Sequence, residues 1–342
     1  MTSQFNFSRD RRKLISAIGS LSTFALLSFP LNSLASKYTS SVAVLFAGNI
    51  NDHGFMQAGY RGLERARLEL GVPTRYIDSI APQYEQLVTA LRELAHSGAA
   101  LVIAHGGQNS AAAIQVAGEF PKVSFVVTQG DVLGPNLASY DVLQEQSAFL
   151  AGVLAGLSTR TGVVGHMSGI RVKPGLKGRA AYVAGVAAAN PNVKVLTNFS
   201  GNQDHNALSN TIAKAQIAAG ADIIFTMLNA GRDGVSEACR TNGAKQIGNI
   251  IDWVQADPDV FIASAIADVS IGVLNAARDW QAGVFKPGTI NKIGLEQASA
   301  VRLALHPNIS PATREKIDVF ADGIRKGRIV IPETYSGPEF SL

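Results

Sequence analysis

Short apolar runs rich in β-branched residues alternate with longer segments of helical periodicity along most of the chain. The first pair is an apolar run at residues 42–46, followed by a segment from Phe55 to Leu70 in which apolar and small residues recur every three or four positions. Such alternation predicts a parallel sheet covered by helices on both faces. In the first half we predict strands at residues 42–46, 74–77, 101–104 and 123–128, and helices at residues 55–70, 82–96 and from the turn at 105–109 to residue 119.

The same alternation resumes after a short joint at residues 139–144, without a Pro/Ser-rich linker. The sequence therefore predicts an α/β protein of two doubly wound parallel-sheet lobes. We assign residues 36–142 to the N-terminal lobe, 143–265 to the C-terminal lobe, and 266–342 to segments returning between the lobes and a tail. In this half we predict helices at residues 146–158, 174–189, 207–219, 231–241 and 268–283, and strands at residues 162–166, 194–198, 223–227, 246–251 and 328–331.

The first 35 residues have the order of a cleaved export signal. A basic stretch ending at Lys13 precedes an apolar run at residues 14–29, and Ser33-Leu34-Ala35 forms a small-x-small cleavage site. The arginine pair after Asp10 also resembles a twin-arginine signal, which usually has Ser or Thr at that position. An uncleaved anchor is the alternative, but Gly, Ser, Pro and Asn dilute the apolar run. We predict a periplasmic protein.

Composition narrows the class of protein further. The 342 residues are 46% hydrophobic and 16% charged, which is typical of a globular chain. The net charge of +4 lies mostly in the export segment, so the remaining surface is nearly neutral and no nucleic-acid partner is expected. The single cysteine, Cys239, has no partner for an internal disulfide and is predicted to pack as a small hydrophobe in a helix.

Polar residues cluster directly after the predicted strands. Ligands of open parallel sheets bind beyond the carboxyl ends of the strands, and two facing sheets would form one cleft that a hinge can close. Each of these residues has a local alternative, because Asx residues also cap helices and make turns, and the aromatics could belong to the core. Their coincidence at one end of many strands predicts a small polar planar ligand. The candidates are Asn51, Asp52, Phe55, His105, Gly106, Asp131, Asn229, Gly231, Asp252 and Trp253.

Catalytic and metal-binding motifs are weak in this chain. No G-x-G-x-x-G follows the first strand, no G-x-S-x-G elbow is present, and no two of the six histidines are spaced i, i+4. His53 and His105 remain candidate hydrogen-bond donors to a ligand. We therefore expect no cofactor, no metal and no enzyme activity.

Residues 51–63 resemble the D-x-(S/G)-F-N-x-x-x-x-x-G signature of the basic membrane protein family, the substrate-binding proteins of ABC importers similar to the purine nucleoside receptor. Weaker matches follow at residues 149–152, 163–167 and 248–252, so the resemblance covers essentially the whole mature chain. It implies a type I periplasmic-binding fold with several hinge crossings and a monomeric protein. It also implies a purine nucleoside or base as ligand and a membrane permease as partner.

The resemblance also implies roles for individual residues. Asp52 would polarise and Phe55 would stack the base, and Asp252 would accept protons from ligand hydroxyl or ring N–H groups. Asn229 and Gly231 would lie on the rim of the second lobe, and Asp268 would close the cleft near the second hinge.

The chain departs from the family at two positions. Met56 replaces the Asn after Phe, and Ala267 replaces the Lys of an S-x-x-K segment. Because an amide and a cation are lost, a free base or another flat heterocycle stays as open as a nucleoside. A sensor or chemoreceptor module of the same fold and a periplasmic nucleoside hydrolase are the alternatives in function.

Overall fold

The computed structural model describes residues 41–342, and the predicted export signal lies outside them. Strands and helices alternate through most of this range, as the hydrophobic pattern predicts. The strands are β1 (Ser41–Phe46), β2 (Thr74–Ile77), β3 (Ala99–His105), β4 (Ser124–Thr128), β5 (Leu137–Val142), β6 (Val163–Ser168), β7 (Lys194–Phe199), β8 (Ile223–Met227), β9 (Lys245–Ile250), β10 (Phe261–Ala267), β11 (Ile290–Ile293) and β12 (Val301–Leu305). The helices are α1 (Phe55–Leu70), α2 (Tyr84–His96), α3 (Ser110–Glu119), α4 (Gln144–Ser158), α5 (Lys173–Ala189), α6 (Asn206–Ala218), α7 (Arg232–Asn242), α8 (Trp253–Ala256), α9 (Ser270–Gln281) and α10 (Pro311–Arg325).

Two six-stranded sheets organise the described chain. The first has the order β11-β5-β4-β3-β1-β2, and all of its pairs are parallel. The second has the order β12-β10-β9-β8-β6-β7 and is parallel except for β12, which runs antiparallel to β10 at one edge. The predicted two-lobed, doubly wound α/β architecture is confirmed.

The chain passes between the two sheets three times. It leaves the first sheet after β5, returns after β10 through α9 and β11, and leaves again to form β12. Helix α9 belongs to the first lobe, because its Val273 and Leu274 are buried in the core formed by β1, β3 and β4. Helix α10 belongs to the second lobe, where Ile317 is buried in a core with α4 and the second sheet.

Several elements differ from the sequence prediction. The short joint contains the edge-adjacent strand β5, and β10, β11, β12 and α10 were not predicted. The strand predicted at residues 328–331 is wrong. The backbone N–H groups of Arg328 and Ile329 both donate to the Gly323 carbonyl, at 2.8 and 3.1 Å, so the chain turns back on the end of α10. Ile329 and Ile331 then pack against the second core as irregular chain.

Three further observations concern residues 41–342. None of their helices is both long and apolar enough to cross a membrane. Within residues 41–342, no group of three or more His, Cys, Asp or Glu side chains is arranged to hold a metal ion. Cys239 is buried in α7 as expected, and burial raises the pKa of its thiol to about 12.

A cleft between the two sheets

A cleft of about 550 Å³ lies between the lobes, at the carboxyl ends of the parallel strands. The loops after β1, β6, β7 and β8 contribute to its walls, together with the end of β9 and the first residues of α1, α4 and α5. This is the position expected for a ligand of two facing parallel sheets. Five of the residues singled out from the sequence line it, namely Asn51, Asp52, Phe55, Met56 and Asn229.

Asp52 holds the first turn of α1 in place. Its Oδ1 accepts hydrogen bonds from the backbone N–H groups of Gly54 and Gln57, at 2.8 and 3.0 Å, and its Oδ2 accepts one from Met56 at 3.0 Å. These bonds satisfy N–H groups that the start of a helix leaves unpaired. The carboxylate therefore works first as a helix cap, and it fixes the direction of Phe55 at the start of α1.

The Phe55 ring lies against the imidazole of His105. The two ring centroids are 4.3 Å apart with an interplanar angle of 22°. His105 is fully buried at the end of β3, and the residues lining the cleft do not include it. The structure thus places His105 and the neighbouring Gly106 behind the cleft wall, where they support Phe55 instead of contacting a ligand.

Hydrogen bonds fix the tautomer of His105. Its Nε2 is 3.1 Å from the Phe55 carbonyl, which can only accept, so Nε2 carries the proton. Its Nδ1 then accepts a hydrogen bond from the Thr128 hydroxyl at 2.8 Å, and that hydroxyl oxygen accepts one from the Gly106 N–H at 3.2 Å. Burial lowers the pKa of His105 to about 4, so the ring is neutral at pH 7. The Phe55 platform is rigid because every polar atom of its support is paired.

The second lobe contributes aliphatic side chains to the cleft. The side chains of Ile170, Val172 and Met227 from the second lobe line it, and Ile250 lines it at the end of β9. An aromatic platform together with aliphatic side chains suits a flat ligand with two apolar faces.

Carboxamide side chains surround these apolar surfaces. Each carboxamide offers both a donor and an acceptor, which matches the alternating polar atoms at the edge of a heterocycle. Asn229 Oδ1 also accepts a hydrogen bond from the Phe55 N–H, at 3.3 Å, and so connects the two lobes. Gly54 makes this approach possible, because a Cβ there would lie 2.5 Å from Asn229 Oδ1. The carboxamides lining the cleft are Asn49, Asn51, Gln108, Gln144, Asn202, Gln203, Asn229 and Asn249.

Asp204 is a cleft residue that the sequence reasoning missed. It lies in the loop after β7 and lines the second-lobe wall. Its Oδ1 accepts a hydrogen bond from the Ala230 N–H at 3.2 Å. Burial, and to a lesser extent the Asp52 carboxylate across the cleft, raise the pKa of Asp204, while the Ala230 bond lowers it. The rule that ligand residues follow strands would have found Asp204, Asn202 and Gln203 if it had been applied to the strand predicted at residues 194–198.

Gln144 was also missed, because the first crossing between the lobes was interpreted as a plain joint. It begins α4, directly after the strand β5 that the sequence reasoning did not predict. Its side chain lines the cleft, and its buried Nε2 has no hydrogen-bond partner among the described residues.

Two of the predicted ligand residues, Asp252 and Asp268, lie outside the cleft. Both line a second cavity of about 290 Å³ between α1 and the second sheet, beside Arg61 and Arg302. Asp252 Oδ1 accepts from the Val254 N–H and Asp268 Oδ1 from the Ser270 N–H, both at 3.1 Å, so each carboxylate caps a helix.

Three other candidates have local roles. The Trp253 ring packs under the Arg232 guanidinium, with 3.3 Å between Arg232 Cζ and the ring centroid. Its Nε1–H donates a hydrogen bond to the Asn249 carbonyl at 2.9 Å. Gly231 precedes the first turn of α7, and Asp131 forms an ion pair with Lys173 of the second lobe. The structure places none of them on the cleft wall.

Two facing doubly wound sheets, with a carboxamide-lined cleft at their carboxyl ends, give this chain the type I periplasmic-binding fold. The fold is shared with a solute-binding protein of an ABC transporter system from Aeropyrum pernix K1. That structure superposes with a TM-score of 0.76 over 85% of this chain and 93% of its own, at 21% sequence identity.

Residues 39–334 match the model of the Bmp family, described as ABC transporter substrate-binding protein PnrA-like, and the chain belongs to this family. The resemblance seen in the sequence is thereby confirmed. A relative from Lactococcus lactis, the ABC transporter nucleoside-binding protein BmpA, is 25% identical over 308 residues, covering 84% of this chain and 87% of its own. The CD4+ T-cell-stimulating antigen of Listeria monocytogenes is 26% identical over 324 residues, covering 87% of this chain and 89% of its own.

Proposed function

We propose that this chain captures a purine base, a purine nucleoside or a similar flat polar heterocycle, and delivers it to the permease of an ABC importer. The observation that carries the proposal is the Phe55 ring, which lines the cleft and is held from behind by the buried His105 imidazole. A fixed aromatic face contributes apolar area and ring stacking without loss of side-chain freedom on binding.

The carboxamides around Phe55 supply discrimination. A heterocycle that pairs with Asn229, Gln203 and Asn249 leaves none of their polar atoms unsatisfied. An analogue that lacks one polar group leaves one protein donor or acceptor without a hydrogen bond beneath the ligand. The loss is about 1–3 kcal/mol, which is roughly ten- to hundredfold in affinity. The Lactococcus lactis relative, named as a nucleoside-binding protein, supports the same ligand class.

Closure of the lobes around the ligand would present the surface that a permease reads. We propose that the protein does this in the periplasm as a monomer, after removal of residues 1–35, and that it catalyses no reaction and needs no cofactor. We also propose that the hinges lie where the chain crosses between the lobes, which it does three times.

The test is a thermal-unfolding screen of the purified mature chain against purine bases, purine nucleosides, sugars and amino acids. A ligand at a hundredfold excess over its Kd stabilises the native state by about 2.7 kcal/mol, so a rise in Tm of several degrees is expected with a purine or a nucleoside. A clear rise with a sugar or an amino acid, and none with any purine, would contradict the proposal. Release of free base from a nucleoside, above a control without protein, would favour a hydrolase instead.

A further inference from the structure

The charges that line the cleft have one sign. Among residues 41–342, the side chains lining it include two carboxylates, Asp52 and Asp204, and no Lys or Arg. The neighbouring Lys173 and Lys177 are paired with carboxylates outside the cleft wall, Lys173 with Asp131 and Lys177 with Glu145. An anionic ligand would thus meet negative charge without a compensating cation.

The two carboxylates differ in how many further hydrogen bonds they can accept. Asp52 accepts three backbone N–H groups with its two oxygens, at 2.8 to 3.0 Å, and is committed to the start of α1. Asp204 accepts only the Ala230 N–H, through Oδ1 at 3.2 Å, and its Oδ2 has no partner in the described part of the chain. An ionised carboxylate has room for about four hydrogen bonds, so Asp204 can accept further donors from a ligand.

The surroundings of Asp204 make such a donor favourable. Asp204 is exposed to solvent within the open cleft, but partial desolvation there raises its pKa, and so does the Asp52 carboxylate, because both disfavour a negative charge at this position. A ligand N–H or a protonated ring nitrogen would offset that cost, and a charge-assisted hydrogen bond is stronger than a neutral one.

We infer that Asp204 is a specificity-determining residue of the cleft. It accepts a hydrogen bond from a ring N–H or a protonated nitrogen of the ligand and, together with Asp52, excludes phosphorylated and other anionic compounds. The ligand is then a neutral or cationic N–H-bearing heterocycle, and the nucleotide made from a bound nucleoside is rejected. This inference rests on the proposed function and narrows its ligand class.

The experiment uses isothermal titration calorimetry on the mature chain with matched sets of compounds. Each set contains a purine base, its nucleoside and the 5′-monophosphate of that nucleoside, for adenine, hypoxanthine and guanine. In each set that binds, the monophosphate is expected to bind at least about tenfold more weakly than the nucleoside. Tenfold corresponds to the smallest usual cost of burying a polar or charged group without a partner.

Asp204→Asn keeps an acceptor for the Ala230 N–H and removes the charge. The substitution is expected to weaken the affinity for the best-bound base or nucleoside roughly tenfold. It should also reduce the difference in affinity between the nucleoside and its monophosphate, while Tm without ligand stays at the wild-type value. Asp318→Asn, which changes an exposed carboxylate on α10, is the matched control and should bind as the wild type does.

The outcomes separate the two ideas. If a monophosphate binds as tightly as its nucleoside, or Asp204→Asn binds and discriminates as the wild type does, the inference is wrong and the proposed function stands. If no base or nucleoside binds at all, the proposed function is wrong, and the inference falls with it.

Discussion

At the scale of single residues, the cleft depends on the side chains that hold Phe55 in place. Phe55 is held by the His105 imidazole at 4.3 Å between ring centroids, and His105 is held by Thr128 and by the Phe55 carbonyl. Asp52 directs the same residue from the backbone side by capping α1. Phe55 is thus positioned by the buried His105 side chain and by the Asp52 cap at the start of α1.

Replacing Phe55 by Ala is expected to weaken ligand binding by about tenfold or more, since stacking and buried aromatic area are lost together. Stability should change less than for a core truncation, because Phe55 is only partly buried. Phe120→Ala is the matched control: Phe120 is also partly buried and packs on the first core, and the residues lining the cleft do not include it. Calorimetric Kd values and Tm values of both variants make the comparison. A Phe55→Ala variant that unfolds like a core mutant, or binds normally, would show that Phe55 is only a packing residue.

At this scale, five of the residues singled out from the sequence line the cleft. Four of them lie in the loop after the first strand or at the start of the helix that follows it, so their place could be predicted from this strand–helix unit: Asn51, Asp52, Phe55 and Met56. The positions of Asp252 and Asp268 could not, because each carboxylate also satisfies the start of a helix, and helix capping gives the same sequence pattern as a ligand site.

At the scale of secondary-structure elements, α1 and β3 approach closely because α1 carries glycines on its inner face. A Cβ on Gly59 would lie 2.4 Å from His105 Nε2, and one on Gly62 would lie 2.4 Å from the Ser270 carbonyl. These contacts place α1 against both the His105 ring and the start of α9. The position of the Phe55 platform is therefore fixed by the packing of a whole helix.

Gly59→Ala is expected to destabilise the fold by about 1–3 kcal/mol, because the added methyl group overlaps the ring of a buried side chain. Gly118→Ala is the matched control on α3, where a Cβ meets nothing within 4 Å. That control should be stabilised by about 0.5–1 kcal/mol, the usual helix gain of Ala over Gly. Urea unfolding of both variants measures the difference. Equal stabilities would mean that α1 does not pack on His105 as described.

Some elements with a strong β-branched or amphipathic pattern were predicted at their exact residues, whereas the small-residue strand β10 was not predicted at all. Helix α1 is found at the residues predicted for it, and β8 likewise. Strand β10, with the sequence Phe-Ile-Ala-Ser-Ala-Ile-Ala, is buried between β9 and β12 but consists largely of Ala and Ser, which carry little strand preference. Its pairing partners, distant in sequence, decide its conformation.

At the scale of the whole molecule, ionic contacts connect the lobes next to the cleft. Lys173 and Lys177 of α5 pair with Asp131 and Asp141 of the first lobe, the latter at 3.6 Å. Burial raises the pKa of Asp141 to about 6, although Lys177 partly offsets this. Protonation of Asp141 therefore removes the charge from one of the ionic contacts between the lobes.

The stability of the protein is expected to fall as the pH decreases from about 6.5 to 4. Burial lowers the pKa of His105 to about 4 and that of His166 to about 3, so both stay neutral in the native state while the unfolded chain takes up protons. Each such histidine costs about 1.4 kcal/mol per pH unit in this window. Asp141 acts in the opposite sense below pH 6, because its raised pKa makes the native state the stronger proton binder.

Free energies of urea unfolding between pH 4 and pH 7.5 measure this balance. Asp141→Asn removes the opposing contribution, so its stability should fall more steeply than that of the wild type below pH 6. Asp318→Asn, with an exposed carboxylate, should follow the wild-type curve. A wild-type stability that rises toward pH 4 would contradict the neutral state of the two buried histidines.

A crystal structure of the mature chain with a bound purine base or nucleoside would show directly whether the cleft is the ligand site. We predict electron density for the ligand in the 550 Å³ cleft, stacked on Phe55 of the first lobe and hydrogen-bonded to Asp204 and Asn229 of the second. Density in the second cavity, beside Asp252 and Asp268, with Phe55 making no ligand contact, would contradict it.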